Sequence, residues 1–309
     1  MNSVDDSNVL GVVNDIQRMS MCDGPGYRTT VFLKGCYLDC QWCHNPEGKR
    51  RYPEVFPYIP NCTGCRECLD VCPTDALTLE EDNKPVIDKG LCNVCLQCVK
   101  VCKYDALVVW GKIMTAGEVI DEVEQDKPFY VTSGGGMTLS GGEPMAQPEF
   151  ALALMKLAKE RGIETALDTA GSVPWEDFEK VLEYTDLVLY DIKVMDSKSH
   201  KEYSGRGNEL ILENARRIAA KGVKMRIRIP VIPGRNNTVR NMEETGKFIE
   251  TLGDVVQGID LLPYHPYAGS KYRIFGLPYP FPEGEGLPDQ DVEPFINVLV
   301  DYADVTVGG

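Results

Sequence analysis

Histidine is nearly missing from this 309-residue chain, which has three: His44, His200 and His265. A metal centre built on imidazole therefore has little to draw on, and His200, in a predicted helix or loop, reads as a surface residue. Basic charge is short as well. Thirty-two lysines and arginines stand against 47 aspartates and glutamates, a formal net charge of −15. Nucleic-acid binding needs the opposite balance; the acidity serves solubility, or attraction to a basic patch on a partner. No run of eighteen apolar residues occurs, so no membrane span is expected. The opening MNSVDDSNVL lacks the basic and apolar regions of a secretory signal, which predicts a cytoplasmic chain with reduced thiols. Neither a nucleophilic triad nor a paired-carboxylate signature is found. With 43% hydrophobic and 26% charged residues, the chain can bury a sizeable core as one large domain or two smaller ones.

Cysteine is what the sequence has in plenty. There are twelve, and all but Cys22 fall between Cys36 and Cys102. Such density without an export signal points to metal, not to disulfides; Cys22, standing apart, reads as an incidental thiol. Two stretches thirty residues apart, CTGCRECLDVCPTDAL and CNVCLQCVKVCKYDAL, form an internal repeat. Cys62, Cys65, Cys68 and Cys72, with Pro73 next, have the C-x2-C-x2-C-x3-C-P spacing of two-cluster ferredoxins. Cys92, Cys95, Cys98 and Cys102 repeat it, with Lys103 replacing the proline. The first three thiolates of each run wrap one cubane, and the fourth points to the other cluster. Cys62, Cys65, Cys68 and Cys102 are therefore expected to hold one 4Fe–4S cluster, and Cys92, Cys95, Cys98 and Cys72 the other. Two zinc sites are the competing reading, but zinc normally takes pairs of cysteines separated by longer stretches.

Cys36, Cys40 and Cys43 form a different set, C-x3-C-x2-C, with no fourth cysteine left to join them. A cluster bound there has one iron without a protein thiolate, and an open position marks a catalytic metal site. A zinc site completed by His44 or Cys22 is the alternative; His44 directly follows Cys43, an awkward place from which to reach the same ion.

Downstream, predicted strands alternate with helices of ten to fifteen residues, which implies βαβ units and a parallel sheet. The strands are ETALDTAG, DLVLYDIK, VKMRIRIPVIPG and QGIDLLPYHPY. Between and before them lie the helical stretches AGEVIDEVEQD, EFALALMKLAKERG, PWEDFEKVLEYT, LILENARRIAAKG and VRNMEETGKFIETL. Glu143, Asp168, Asp191, Lys193, Arg228 and His265 sit at C-terminal strand ends, where parallel barrels place ligand sites. The expected fold is α/β, a partial (β/α)6 barrel of the TIM type. It comprises residues 1–55 and 111–309, with a ferredoxin-like domain at 56–110 inserted after the first barrel strand.

The three-cysteine motif, with Trp42 before its last cysteine, and GGEP at 141–144 together resemble the radical S-adenosylmethionine (SAM) superfamily. DGPGYRTTVFLKGC and HNPE resemble a narrower group, the activating enzymes of glycyl radical enzymes, in their larger type with a two-cluster insert. The resemblance spans about residues 10–270. It implies that S-adenosylmethionine takes the open iron and is cleaved by one electron to methionine and a 5′-deoxyadenosyl radical, which removes hydrogen from a backbone glycine of a partner enzyme. It further implies three 4Fe–4S clusters and roles for individual residues. Gly141, Gly142 and Glu143 would hold the methionine amine. Asp191, Ile192 and Lys193 would contact ribose and carboxylate, with Arg228 near the carboxylate. His265, with Trp42, Cys43 and His44, would line the adenine. Asp168 and Thr169 would join Asp191 in binding a monovalent cation. The implied setting is an anaerobic cytoplasm, with a reduced ferredoxin or flavodoxin as donor and a monomeric chain. The two insert clusters would relay electrons or shape the partner-docking face. General similarity leans toward isethionate sulfite-lyase as the partner, although no residue discriminates it from the choline, glycerol and related systems. A radical SAM enzyme acting on a small molecule or peptide is one alternative. A non-catalytic electron-transfer protein is another, but it leaves Cys36, Cys40, Cys43 and GGEP unused.

Overall fold

Runs rich in valine, isoleucine and leucine become strands because branched side chains pack well on a pleated surface. In chain order these are β1 (Leu10–Ser20), β2 (Arg28–Leu33), β3 (Glu54–Pro57), β4 (Leu77–Leu79), β5 (Pro85–Ile87), β6 (Leu107–Trp110), β7 (Lys112–Thr115), β8 (Gly136–Gly141), β9 (Glu164–Thr169), β10 (Leu187–Asp191), β11 (Lys224–Val231), β12 (Val256–Pro263) and β13 (Val305–Val307). The helices are α1 (Glu67–Asp70), α2 (Gln97–Val101), α3 (Ala116–Glu124), α4 (Lys127–Ser133), α5 (Pro148–Glu160), α6 (Trp175–Leu182), α7 (Ser197–Ser204), α8 (Glu209–Ala220), α9 (Val239–Glu250), α10 (Tyr267–Ile274) and α11 (Asp289–Leu299). The structure, a computed structural model, describes residues 5–80, 83–275, 277–279, 281 and 286–308. No described helix is long and apolar enough to cross a membrane.

One sheet organises most of the chain, in the order β13-β12-β11-β10-β9-β8-β2-β1-β7. From β2 through β13 neighbouring strands are parallel, while β1 runs antiparallel to both β2 and β7. The helices expected from periodicity form as α3, α5, α6, α8 and α9. Sequence reading did not separate α4, α7 or the short parallel strand β13, whose patterns are brief or mostly polar. The capping box of α3, Thr115 with Glu118, satisfies two orphan donors at its start. Parallel register aligns the C-terminal ends of β2, β8, β9, β10, β11 and β12, and this alignment builds the site.

The stretch between β2 and β7 has a small core of its own, with Val55, Leu77, Ile87, Cys98 and Leu107 buried together. Its internal symmetry is written into the backbone. Left-handed φ recurs thirty residues apart at Gly64 and Val94, Arg66 and Leu96, and Asp75 and Asp105. A β-branched residue such as Val94 seldom accepts this conformation, so the second copy holds its thiol loop in a turn that glycine makes easy in the first.

His200 departs from the expectation of a surface residue. It is 1% exposed, because α7 turns this face inward. Its Nδ1 lies 2.6 Å from Arg206 O and 2.9 Å from Ser204 Oγ. The ring thereby braces the end of α7, whose Tyr203 and Ser204 carbonyls accept from Gln41 N and Asp39 N.

Candidate active site

A cavity of about 500 Å³ opens at the aligned strand ends. Following β2, the Cys36–Cys43 loop contributes Cys36, Cys40, Trp42, Cys43 and His44; β8 contributes Gly141 and Gly142. Asp168 and Thr169 enter from β9, Asp191 and Lys193 from β10, Arg228 from β11 and His265 from just beyond β12. Thus residues spread over 230 positions of sequence meet around one cavity. Glu143 and Ile192 do not line it. The Glu143 carboxylate turns behind the wall, where it accepts from Thr169 Oγ1 at 2.7 Å and from Ala170 N at 3.0 Å. Burial pushes its pKa up to about 7, with the Thr169 bond pulling the other way. Ile192 is buried, and its N–H donates to Arg228 O at 2.9 Å, holding β10 against β11.

The cysteine loop and the glycine pair are knitted together by backbone. Gly142 N donates to Leu33 O at 3.0 Å, Glu143 N to Gly35 O at 2.7 Å, and Gly35 N to Gly48 O at 2.7 Å. A Cβ on Gly142 would lie 2.3 Å from Gly35 O and 2.6 Å from Gly48 O. Neither carbonyl can yield without displacing the loop that carries Cys36. Gly142→Ala is therefore expected to lower deoxyadenosine formation by about 100-fold, as ångström-scale misplacement does. Anaerobic product analysis with dithionite measures this, and an unchanged rate would show that the loop does not need this contact.

The wall is strongly charged. Lys193 Nζ pairs with Asp191 Oδ2 at 2.5 Å, and Arg228 Nη1 lies 3.3 Å from Asp168 Oδ1. Burial would lower the Lys193 pKa, but Asp191 and Cys40 outweigh it and raise it. Burial likewise opposes Arg228, and Asp168 and Asp191 hold it charged. Asp168 is pushed up to about 6 by burial, against the pull of Arg228, and it accepts from Ser140 Oγ at 2.6 Å. The Arg228 pair is close enough for attraction but poorly aligned, so Arg228 Nε and Nη1 are buried without a hydrogen-bond partner. Unmet guanidinium donors are costly, and a carboxylate is the group whose geometry they match.

On the opposite side, the His44 and His265 rings lie 4.3 Å apart between centres. Burial first, then His265 and Lys271, push His44 down to about 4, so its ring is neutral. Trp42 packs behind with Val194, Ile232 and Tyr264. This uncharged aromatic wall suits an aromatic base.

The three thiols are half-buried, and desolvation in the cavity pushes Cys36 up to about 12 and Cys40 up to about 11. Metal must displace those protons to bind. In the insert, Cys62, Cys65, Cys68 and Cys102 line one cavity, and Cys72, Cys92, Cys95 and Cys98 line another. Each set is three thiols from one repeat and one from the other. Among the described residues, no three Cys, His, Asp or Glu side chains converge as tightly as a single ion needs; thiols standing around a space suit a many-atom cluster.

Several residues that line or brace the site escaped sequence reading. Asp23 lines the cavity from the β1–β2 turn, beside Cys22; the DGPG there reads as a tight connection and as part of the family resemblance, with no site role for Asp23. Ser140 lies just ahead of GGEP, and only its bond to Asp168 marks it. Lys34, fully buried, donates to Glu47 O at 2.6 Å and pairs with Glu54 at 3.1 Å, anchoring both ends of the cysteine loop. A lysine before a glycine carries no signal of such burial.

The radical SAM superfamily profile matches residues 92–249, and the 4Fe–4S dicluster domain profile matches residues 61–106. The chain is 42% identical to the isethionate sulfite-lyase activating enzyme of Oleidesulfovibrio alaskensis over 100% of both chains. It is 40% identical to the (2S)-3-sulfopropanediol dehydratase activating enzyme of Klebsiella oxytoca, covering 87% of this chain and 86% of that one. Among solved structures, Streptococcus suis SuiB bound to precursor peptide SuiA matches with a TM-score of 0.54 at 12% identity, over 89% of this chain and 46% of that chain, a likeness of fold alone.

Proposed function

The chain belongs to the radical SAM superfamily and, within it, to the activating enzymes of glycyl radical enzymes; from that premise we propose which residues perform each part of the activation. Cys36, Cys40 and Cys43 would hold a 4Fe–4S cluster, which would supply an open iron for S-adenosylmethionine and the electron for its cleavage to methionine and a 5′-deoxyadenosyl radical. Arg228, with its unmet donors, takes the methionine carboxylate. The backbone at Gly141 and Gly142 lies against the amine, and Glu143 orders that turn from behind. Asp191 and Lys193 serve the ribose and carboxylate, while His44, Trp42 and His265 enclose the adenine. Asp168, Asp191 and Thr169 are placed to hold a monovalent cation. No side chain need act as acid or base, since the protein positions the radical and excludes water.

The observation that carries this reading is the single cavity shared by three cysteines, the glycine pair and Arg228. The proposed architecture is a partial (β/α)6 barrel of residues 1–55 and 111–309 with a two-cluster insert at 56–110, three clusters in all. The chain works as a cytoplasmic monomer fed by reduced ferredoxin or flavodoxin. Isethionate sulfite-lyase is the proposed partner, supported by full-length identity to a relative named for it. The test is anaerobic mixing of reconstituted enzyme, dithionite, S-adenosylmethionine and isethionate sulfite-lyase. A glycyl-radical EPR doublet is expected in that partner. Deoxyadenosine without a doublet there, but with one in choline trimethylamine-lyase, would reject the partner assignment.

A further inference from the structure

The chain is acidic overall, yet the outer face of the Cys36–Cys43 loop is ringed by cations. The end of α7 lies along this loop, with Asp39 N and Gln41 N donating to Ser204 O and Tyr203 O at 2.8 and 3.0 Å. That contact brings in Lys201 and Arg206. The Arg206 guanidinium stands 5.3 Å from the centre of the Tyr37 ring, next to Cys36. From beyond β11, Arg235 donates to Gln41 Oε1 at 3.1 Å and covers Tyr203. Lys49 pairs with Asp39 and also lines the cavity, Arg50 lies 3.5 Å from the buried Glu54 carboxylate, and Arg51 lies over Gly35. Arg50, Arg51, Lys201 and Arg206 are exposed. Against these four exposed cations, the same segments expose two acids, Asp39 and Glu202.

The insert has the opposite balance. Residues 56–110 carry five basic and eight acidic side chains. An acidic protein is therefore repelled by the insert and drawn to the collar. Arginine is also suited to protein contacts, because its guanidinium is weakly hydrated. A chain with net charge −15 gains nothing in solubility from gathering cations at one spot, whereas local charge complementarity raises association rates.

We infer that this collar is the docking surface for an acidic one-electron carrier protein, which delivers its electron beside the Cys36–Cys43 loop and not across the insert. The inference rests on the reading of that loop as the site of S-adenosylmethionine cleavage. The carrier is oxidised by one electron, which is consumed in breaking one sulfonium C–S bond, so no other reductant is required. The insert is then left to shape the face that meets the glycyl radical enzyme.

The test uses the reconstituted holoenzyme carrying Arg51→Glu, Lys201→Glu and Arg206→Glu together, with an acidic flavodoxin as probe. Titration calorimetry with oxidised flavodoxin should show binding weakened by about ten-fold or more at low ionic strength, with a shallower salt dependence. Flavodoxin-driven deoxyadenosine formation should fall in parallel, while dithionite-driven formation stays at the parent level. An insert variant, Lys100→Glu with Lys103→Glu, should bind flavodoxin as the parent does. Unchanged flavodoxin binding in the collar variant, or loss in the insert variant, overturns the inference. Loss of dithionite-driven cleavage in the collar variant also overturns it, making the cations structural or charge-balancing. Intact cleavage and flavodoxin binding with loss of glycyl radical formation would reassign the collar to the partner enzyme. Failure of the parent to cleave S-adenosylmethionine with dithionite would instead reject the underlying reading of the loop.

Discussion

Cys36→Ala, Cys40→Ala and Cys43→Ala each abolish deoxyadenosine formation while both insert clusters remain, so iron falls from about twelve to about eight per chain. The expectation follows from geometry. These three thiols share the cavity with Arg228 and the glycine pair, whereas the other eight clustered cysteines surround two separate cavities in the insert. With all eight engaged there, nothing nearby can replace a lost ligand: Cys22 lines the same cavity but is exposed and sits on the β1–β2 turn. Truncation to alanine leaves the buried loop its backbone bonds to Gly48 and Lys49, so the fold should survive. Iron and sulfide analysis with EPR of the reduced protein reads the cluster count, and chromatography reads the product. Retained cleavage in any of the three variants would undo the assignment.

Arg228→Met weakens S-adenosylmethionine binding by about 100-fold, within the cost of truncating one partner of a buried charge pair. It also destabilises the chain. Arg228 holds down the pKa of Asp168, which burial has lifted to about 6; without the guanidinium that pKa rises further. A carboxyl whose folded pKa exceeds its unfolded value favours folding less as pH rises through the folded value. The penalty should therefore be small at pH 5, where Asp168 is protonated in both parent and variant. At pH 8 it should grow to at most about 2.7 kcal/mol, since only two pH units separate that pH from the parent value and each is worth about 1.4 kcal/mol. Urea unfolding at the two pH values, with calorimetric titration of S-adenosylmethionine, separates the effects. Equal destabilisation at both would mean that Asp168 is not the group Arg228 restrains.

Legibility from sequence followed the range of the interaction concerned. The helices α3, α5, α6, α8 and α9 were legible because each carries a periodic apolar face. Short or polar α7 was not, and with it the burial of His200 was missed. Glu143 was legible as a strand-end carboxylate, but not the rotation that directs it to Thr169 and Ala170 behind the wall. Lys34 and Ser140 were illegible because their partners are Glu54 and Asp168, positioned by other strands.

What the sequence alone determined was how the thiols are spaced and grouped. Cysteines two or three residues apart are confined by the reach of the chain, so C-x2-C-x2-C and C-x3-C-x2-C dictate how many thiols can face one cluster. The thirty-residue repeat similarly implies that Cys72 and Cys102 cross over, as their cavities show. The wall that faces those thiols was decided only by tertiary structure. Parallel register in the sheet brings Asp168, Asp191, Arg228 and His265 level with Cys36, leaves Arg228 with unmet donors, and lays α7 along the cysteine loop so that its cations form a collar. Those relations depend on strand order and helix packing between segments more than a hundred residues apart, and no local spacing encodes them.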